Sequence, residues 1–213
     1  MMFIDYENFE IQRRNLYKKA NKSAPRIDLV KLPKTVMRKI NADLTLVKTF
    51  LFVPKPDEFL SGDENRVKHY KYLKGLENTN FFRVVSGRHV ARPVNGDYLS
   101  MSLANKGTYY VTEKGTDINM AAHILTKAFH GSYDTAIVLS GDTDHLPIYE
   151  VLNTIGKTVI VVSLEGQSLS KLKTTTDAQM ILDLDFLEEC KNEYVSHKKQ
   201  RNQPNVPEID LQD

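Results

Sequence analysis

Two runs of this chain, Thr135–Leu139 (Thr-Ala-Ile-Val-Leu) and Thr158–Val162 (Thr-Val-Ile-Val-Val), are apolar at nearly every position rather than at alternate ones. A strand that is apolar on both faces has to be covered on both faces, which is the condition of a parallel sheet in an α/β fold. Leu44–Val53 has the same β-branched and aromatic character and is closed by Pro54 and Pro56. Phe81–Val85, Thr108–Thr112 and the short run Met180–Leu182 read as further strands. Near the start, Phe3-Ile4 is a brief apolar run that ends in a carboxylate, Asp5.

Segments of helical period separate these runs. Asp63–Leu76 places Val67, Tyr70, Leu73 and Leu76 on one stripe. A second helix follows Lys114-Gly115-Thr116-Asp117 and runs to about Phe129, with an expected apolar stripe of Ile118, Ala121, Ala122, Leu125, Ala128 and Phe129. Gly131 fits the position just past its end. Pro147–Ile155 is a third, stopped by Gly156, and weaker helical patterns lie near Ser168–Lys173 and Phe186–Tyr194. The stretch from Ser86 to Lys106, rich in Gly, Pro, Asn and Arg, reads as a loop or a small hairpin. Strands alternating with helices imply a parallel sheet with helices on both faces. The 213 residues supply one substantial core, which assigns a single domain to about 1–195 and a polar, proline-containing tail to 196–213.

Composition excludes several classes. No stretch approaches the roughly 20 apolar residues of a membrane span, and the opening residues lack the pattern of a secretory signal. The single cysteine, Cys190, rules out an internal disulfide framework and a cysteine zinc site, so a reducing cytoplasmic setting is expected. Net charge is only +2, but its distribution is uneven: Ile11–Ile40 carries ten Lys/Arg, among them Arg13, Arg14, Lys18 and Lys19, against the single acid Asp28. Such a stretch attracts polyanions, or else is a solvated helix face. Arg88, His89 and Arg92 add basic groups in the irregular stretch, and Lys114 precedes Gly115. Basic residues interleaved with tyrosines, as in Arg66–Lys74, suit single strands.

Ligands of an open parallel sheet bind outside the carboxyl ends of the strands. Asp5 ends the first strand, Asp142 and Asp144 follow Thr135–Leu139, and Asp117 opens a helix on the same side. Taken singly, Asp117 and Asp144 also fit helix N-caps. Together, several carboxylates meeting at one edge would repel one another unless a cation neutralised them, and a hard divalent ion, Mg²⁺ or Mn²⁺, is the economical partner. Neither G-x-x-x-x-G-K-[ST] nor G-x-G-x-x-G is present, so phosphate cradling of those kinds is not expected.

The run Phe3-Ile4-Asp5-Tyr6-Glu7-Asn8, then Lys114-Gly115-Thr116-Asp117, then Ser140-Gly141-Asp142-Thr143-Asp144 with Pro147, then Gly156-Lys157 before a valine-rich strand, resembles the NYN domain of the PIN-like nucleases, which includes LabA-like (DUF88) proteins. The resemblance covers Met2 to about Asp185. It implies a Rossmann-like, three-layer α/β/α sandwich with a mainly parallel sheet, and Mg²⁺- or Mn²⁺-dependent cleavage of single-stranded RNA, with endoribonuclease action the first expectation. It also implies that Asp5, Asp117, Asp142 and Asp144 hold the metal and that Asn8 supports the site by hydrogen bonding. Three departures stand out: Tyr6 where the family usually has Gly, His145 where it often has Phe, and His123 where it often has another Asp. His145 and His123 are also the candidates for a general base, and His123 is expected to be exposed or to lie behind the ligands. A haloacid-dehalogenase-type phosphatase with Asp5 as nucleophile is a rival reading, but Glu7 stands where that chemistry needs an Asp. An inactive RNA-binding module is another. DNA as substrate and association as a homodimer are left open.

Overall fold

The computed structural model describes residues 1–40, 43–167 and 170–192. Strand β1 (Met2–Asp5), buried along its whole length, lies at the centre of a seven-stranded sheet. It pairs in parallel with β2 (Thr49–Pro56) on one side and with β5 (Thr135–Leu139) on the other. Outward from β2 come β3 (Phe82–Pro93) and an antiparallel edge strand, β4 (Tyr109–Lys114); outward from β5 come β6 (Thr158–Leu164) and β7 (Ala178–Leu182). The order is β4-β3-β2-β1-β5-β6-β7. After β4 the chain therefore crosses back to the far side of β1, and the reversal between β1 and β5 opens a crevice at the carboxyl ends of those two strands.

Alternation of side chains sends successive residues of each central strand to opposite layers. Ile4, Leu51, Val53, Val84, Leu139 and Val162 pack beneath α1 (Tyr6–Lys19), α2 (Lys31–Ile40), α3 (Glu64–Gly75) and α6 (Leu184–Glu189). Phe3, Phe50, Phe52, Val138 and Val161 pack beneath α4 (Thr116–Phe129) and α5 (Leu146–Thr154). The result is the three-layer α/β/α sandwich expected from the sequence. No helix among the described residues is long and apolar enough to cross a membrane.

Several boundaries differ from expectation, each for a physical reason. Strand β2 starts at Thr49, not Leu44, and runs through both prolines. β1 stops pairing with it at Phe52, so beyond that residue one flank of β2 is free and a missing N–H is tolerated there. Ser86–Pro93, expected to be irregular, continues β3, because β2 and β4 together satisfy its backbone; the hairpin is therefore long rather than small. On α4 the buried face is Thr116, Met120, Ile124 and Ala128, while Ile118 is 75% and Phe129 65% exposed. The start of the helix sets this rotation: Gly115 takes a left-handed φ of +79°, and Thr116 sits where a Cβ on Gly87 would run into it. Residues 170–175 form turns rather than a helix, and α6 begins at Leu184 and ends at Glu189. The expected tail at 196–213, the final residues of the 1–195 span and Ser168 lie outside the described residues.

Candidate metal centre

Asp5 closes β1 and caps α1 in the same stroke. Its carboxylate accepts the Asn8 backbone N–H at 3.1 Å and the Ser140 hydroxyl at 3.1 Å, and the residue is only 5% exposed. Asn8 in turn accepts the Gly141 N–H and a Gln167 side-chain N–H, both at 3.3 Å, so it ties the first turn of α1 to the loop that leaves β5. The side chains of Asp5 and Asn8 thus hold the two strand ends of the crevice together.

Asp117 is the second residue of α4 and is exposed. His145 ends a short 3-10 turn, Thr143–His145, that leads into α5, and is 2% exposed. One ligand atom each from Asp5, Asp117 and His145 lie within 4.8 Å of one another, although the three come from distant parts of the chain. The His145 Nε2 is buried and has no hydrogen-bond partner among the described residues. Burial pushes the Asp5 carboxyl above the usual carboxylate range. The Asn8 amide, His145 and the Ser140 hydroxyl work against that shift, and the charge of Asp117 adds to it. A buried acid, a second acid and an imidazole whose Nε2 has no partner among the described residues form a donor set that suits a divalent cation.

Asp142 and Asp144 lie beside this group. Asp142 caps the 3-10 turn by accepting the Asp144 N–H at 3.0 Å, and its own N–H donates to Ser140 Oγ at 3.3 Å. Asp142 is half-buried and Asp144 exposed. The negative charges of Asp142 and Asp5 both act on the buried Tyr149 hydroxyl, raising its pKa together with the larger effect of burial. Asp177 plays a structural part: its carboxylate accepts the Val159 N–H at 2.7 Å and pins the start of β6. His123 packs against the rings of Phe50 and Phe52, at centroid distances of 5.7 and 5.8 Å, and burial lowers its pKa, with Lys127 adding to the effect.

A second polar cluster adjoins the first and has no counterpart in the sequence reading. His89 Nε2 meets the Glu7 carboxylate at 3.0 Å. Burial opposes ionisation of Glu7, but hydrogen bonds with His89 and Glu113 and the charges of His89 and Arg66 outweigh it and bring its pKa down to about 2. Burial, the hydrogen bond to Glu7 and the charges of Glu7 and Asp5 push Glu113 up to about 9. Glu7 is thus favoured as the charged member of the pair and Glu113 as the neutral one, with Glu113 Oε1 buried and without a hydrogen-bond partner among the described residues. Glu7 stands two residues after Asp5, which is a signal of a kind; the pairing of His89 with Glu113 depends on the β3–β4 register alone.

The expected nucleic-acid contacts divide. Arg88 and Lys114, both exposed, stand directly opposite each other across β3 and β4, next to the His89–Glu113 pair. Like charges in that position are unfavourable until an anion lies across them. Arg14, Lys18 and Lys19 are exposed on α1. Arg92 donates to the Tyr98 hydroxyl at 2.9 Å. Arg13 is 5% exposed, forks onto Glu10 at 2.8 and 2.9 Å and donates to the Pro25 carbonyl, so its guanidinium is committed to the fold and not offered to a phosphate.

Comparison with curated proteins gives no significant match. Among solved structures, a crystal structure of a protein of unknown function from Vibrio parahaemolyticus superposes with a TM-score of 0.54 at 17% identity, covering 87% of this chain and 93% of that one. A likeness at that identity shows a shared fold. The family model described as the NYN domain matches residues 1–184, and on that match, with the opening and S-G-D-x-D motifs placed at one crevice, the chain belongs to the NYN domain family.

Proposed function

We propose that the chain is a metal-dependent ribonuclease that hydrolyses phosphodiester bonds in single-stranded RNA. The observation that carries this reading is the convergence of Asp5, Asp117 and His145 at the β1–β5 crevice, with the imidazole nitrogen of His145 buried and unpartnered. Asp5, Asp117 and His145 would hold the ion, and the turn from half-buried Asp142 to exposed Asp144 would complete its surroundings from the open side. Carboxylates suit Mg²⁺ and Mn²⁺ alike, but an imidazole ligand favours Mn²⁺. When bound, the ion supplies Lewis-acid charge at the scissile phosphate and lowers the pKa of the attacking water.

The remaining work falls to the chain's own groups. Asn8 and Ser140 fix the Asp5 carboxylate, which keeps the ligand geometry rigid. Arg88 and Lys114 neutralise the phosphates of the incoming strand. His123, turned onto the phenylalanine rings, is removed from proton transfer, and His145 is taken up as a ligand rather than acting as a base.

The test is incubation of wild type and Asp117→Asn with an end-labelled single-stranded RNA, in Mn²⁺ and in chelator. Asp117 is exposed, so the variant is expected to fold. Cleavage is expected only for wild type with metal. Equal cleavage by the variant, or cleavage that persists in chelator, overturns the reading.

A further inference from the structure

Helices α1 and α3 lie over the same face of the sheet but leave a cleft between them. Two cavities, of about 200 Å³ and about 600 Å³, adjoin there: Tyr6, Glu10, Arg14 and His69 line both, and the Tyr6–His69 hydrogen bond lies in their common wall. The smaller is walled at one end by Glu7 and His89, and Glu7 and Tyr6 follow directly on Asp5. The smaller cavity is therefore walled by the two residues that follow Asp5 in the chain. The larger cavity continues along α1 past Arg26, Lys68 and Tyr72.

The lining has two characters. Cations outnumber acids in the lining, with Arg14, Arg26, Arg66 and Lys68 against Glu7 and Glu10; Arg14 pairs with Glu10, Arg66 with Asp63 at 3.7 Å and Lys68 with Glu64 at 2.7 Å, partners that a phosphate strand would replace. Rings supply the rest. The Tyr6 hydroxyl and His69 Nε2 are 2.9 Å apart, their rings 5.7 Å apart, and Tyr72 is 48% exposed. Burial lowers the pKa of His69; Glu10 opposes this, and Arg14 and Arg26 reinforce it, so the ring is kept neutral and able to stack. Positive charge along a groove with aromatic faces inside it is the pattern that holds a nucleic-acid single strand, because phosphates are neutralised outside while bases stack within. The small cavity lies below the roughly 300–1,000 Å³ of a drug-sized ligand site, which limits it to about one nucleotide.

We propose that the α1–α3 cleft is the path of the substrate strand, with the nucleotide next to the scissile phosphate held in the small cavity against Tyr6 and His69 and the following nucleotides running past Arg14 toward Tyr72. This rests on the nuclease reading for the position of the scissile phosphate, but binding in the cleft does not require metal. It also makes single strands the preferred substrate class, since a base in a duplex would have to leave its stack to enter, at a cost of a few kcal/mol.

The experiment measures binding of a labelled single-stranded RNA and of the matching duplex in chelator, for wild type, Tyr72→Ala, Arg14→Glu and Lys106→Glu. Arg14 and Tyr72 are exposed, and Lys106 is an exposed cation outside both cavities that undergoes the same charge change as Arg14. Loss of one base–aromatic stack predicts about tenfold weaker binding for Tyr72→Ala. Arg14→Glu is expected to weaken binding at least as much and to flatten its salt dependence. Lys106→Glu is expected to bind as wild type, the duplex to bind more weakly than the single strand, and all variants to keep the thermal shift given by Mn²⁺. The proposal is overturned if the cleft variants bind as wild type, if Lys106→Glu loses as much as Arg14→Glu, or if the duplex binds as tightly as the single strand. Should wild type fail to cut RNA in Mn²⁺ while the cleft variants lose binding, the nuclease reading falls and the cleft stands. Should wild type cut while the cleft variants bind unchanged, the cleft falls and the nuclease reading stands.

Discussion

Replacing Asp5 by Asn separates what its carboxylate does for the fold from what it does for a metal. The substitution is isosteric, and the amide can keep both contacts: its oxygen accepts from the Asn8 N–H and its nitrogen donates to Ser140 Oγ, each now 3.1 Å from the carboxylate. Counting hydrogen bonds alone, the change is destabilising. Bonds to a charged group contribute about 1.5–3 kcal/mol against about 0.5–1.5 for neutral ones, so two of them would be weakened by roughly 2 kcal/mol in total. The surroundings argue the opposite way: burial and the charge of Asp117 outweigh those bonds and push the Asp5 carboxyl above its usual range. Without metal the folded protein therefore gains from a neutral side chain, and the melting temperature of Asp5→Asn is expected to equal or exceed that of wild type. With metal the order reverses. An ion present at about 100 times its Kd stabilises by about 2.7 kcal/mol. At about 2–4 °C per kcal/mol for a chain of this length, Mn²⁺ is expected to raise the wild-type melting temperature by about 5–11 °C. Asp5→Asn, which lacks the buried anionic ligand, is expected to show less than half of that rise. The assay is differential scanning fluorimetry in chelator and in a Mn²⁺ series. A metal-free drop of more than about 5 °C in the variant would show that the hydrogen bonds dominate, and equal Mn²⁺ shifts in the two proteins would remove Asp5 from the metal site; either result refutes the reasoning.

Other perturbations probe the frame of the site. A Cβ on Gly87 would strike Thr116, so Gly87→Ala is expected to destabilise by about 1–3 kcal/mol and, because it displaces the start of α4, to weaken the Mn²⁺ response as well; thermal melts with and without Mn²⁺ check both. The Tyr149 hydroxyl is buried without a partner among the described residues, so Tyr149→Phe is expected to leave the metal-free melting temperature unchanged or raise it by a few degrees, and a clear drop would mean the hydroxyl is bonded in solution. Burial lowers the pKa of His69, so the folded state holds its proton less tightly than the unfolded chain does. That contribution is present above about pH 6.5 and is lost as pH falls through the lowered value. The melting temperature of wild type is therefore expected to fall more between pH 7 and pH 5 than that of His69→Gln, and parallel curves would refute the assignment.

The residues whose place was legible in the sequence are those whose signal is local. Thr135–Leu139 forms β5 over the same five residues, since a continuous β-branched run bounded by turn residues needs no knowledge of its neighbours. Asp63 caps α3 through the Arg66 N–H, and Gly131 and Gly156 take the positive φ that ends a helix. Asp5 at the end of β1 was likewise visible. The stripe of α4 was not, because apolarity names residues that are able to be buried, and the contact of Thr116 with Gly87 decides which of them are. Nor was Arg13, whose burial against Glu10 and the Pro25 carbonyl looks, in sequence, like any other cation in a basic run.

The sequence by itself determined the alternation of strands and helices, the strand ends that carry carboxylates and the concentration of positive charge after β1. All of these follow from side-chain period, backbone preference and charge over a few neighbouring residues. The tertiary structure decided the rest. The strand order sets β1 against β5 and so brings Asp5 near His145 and Asp117; the β3–β4 register sets His89 beside Glu113; and the separation of α1 from α3 leaves the cleft between them. These are contacts between segments far apart in the chain. They are fixed by which faces of the sheet and helices bury together, and that is a property of the whole packed core that no local window contains.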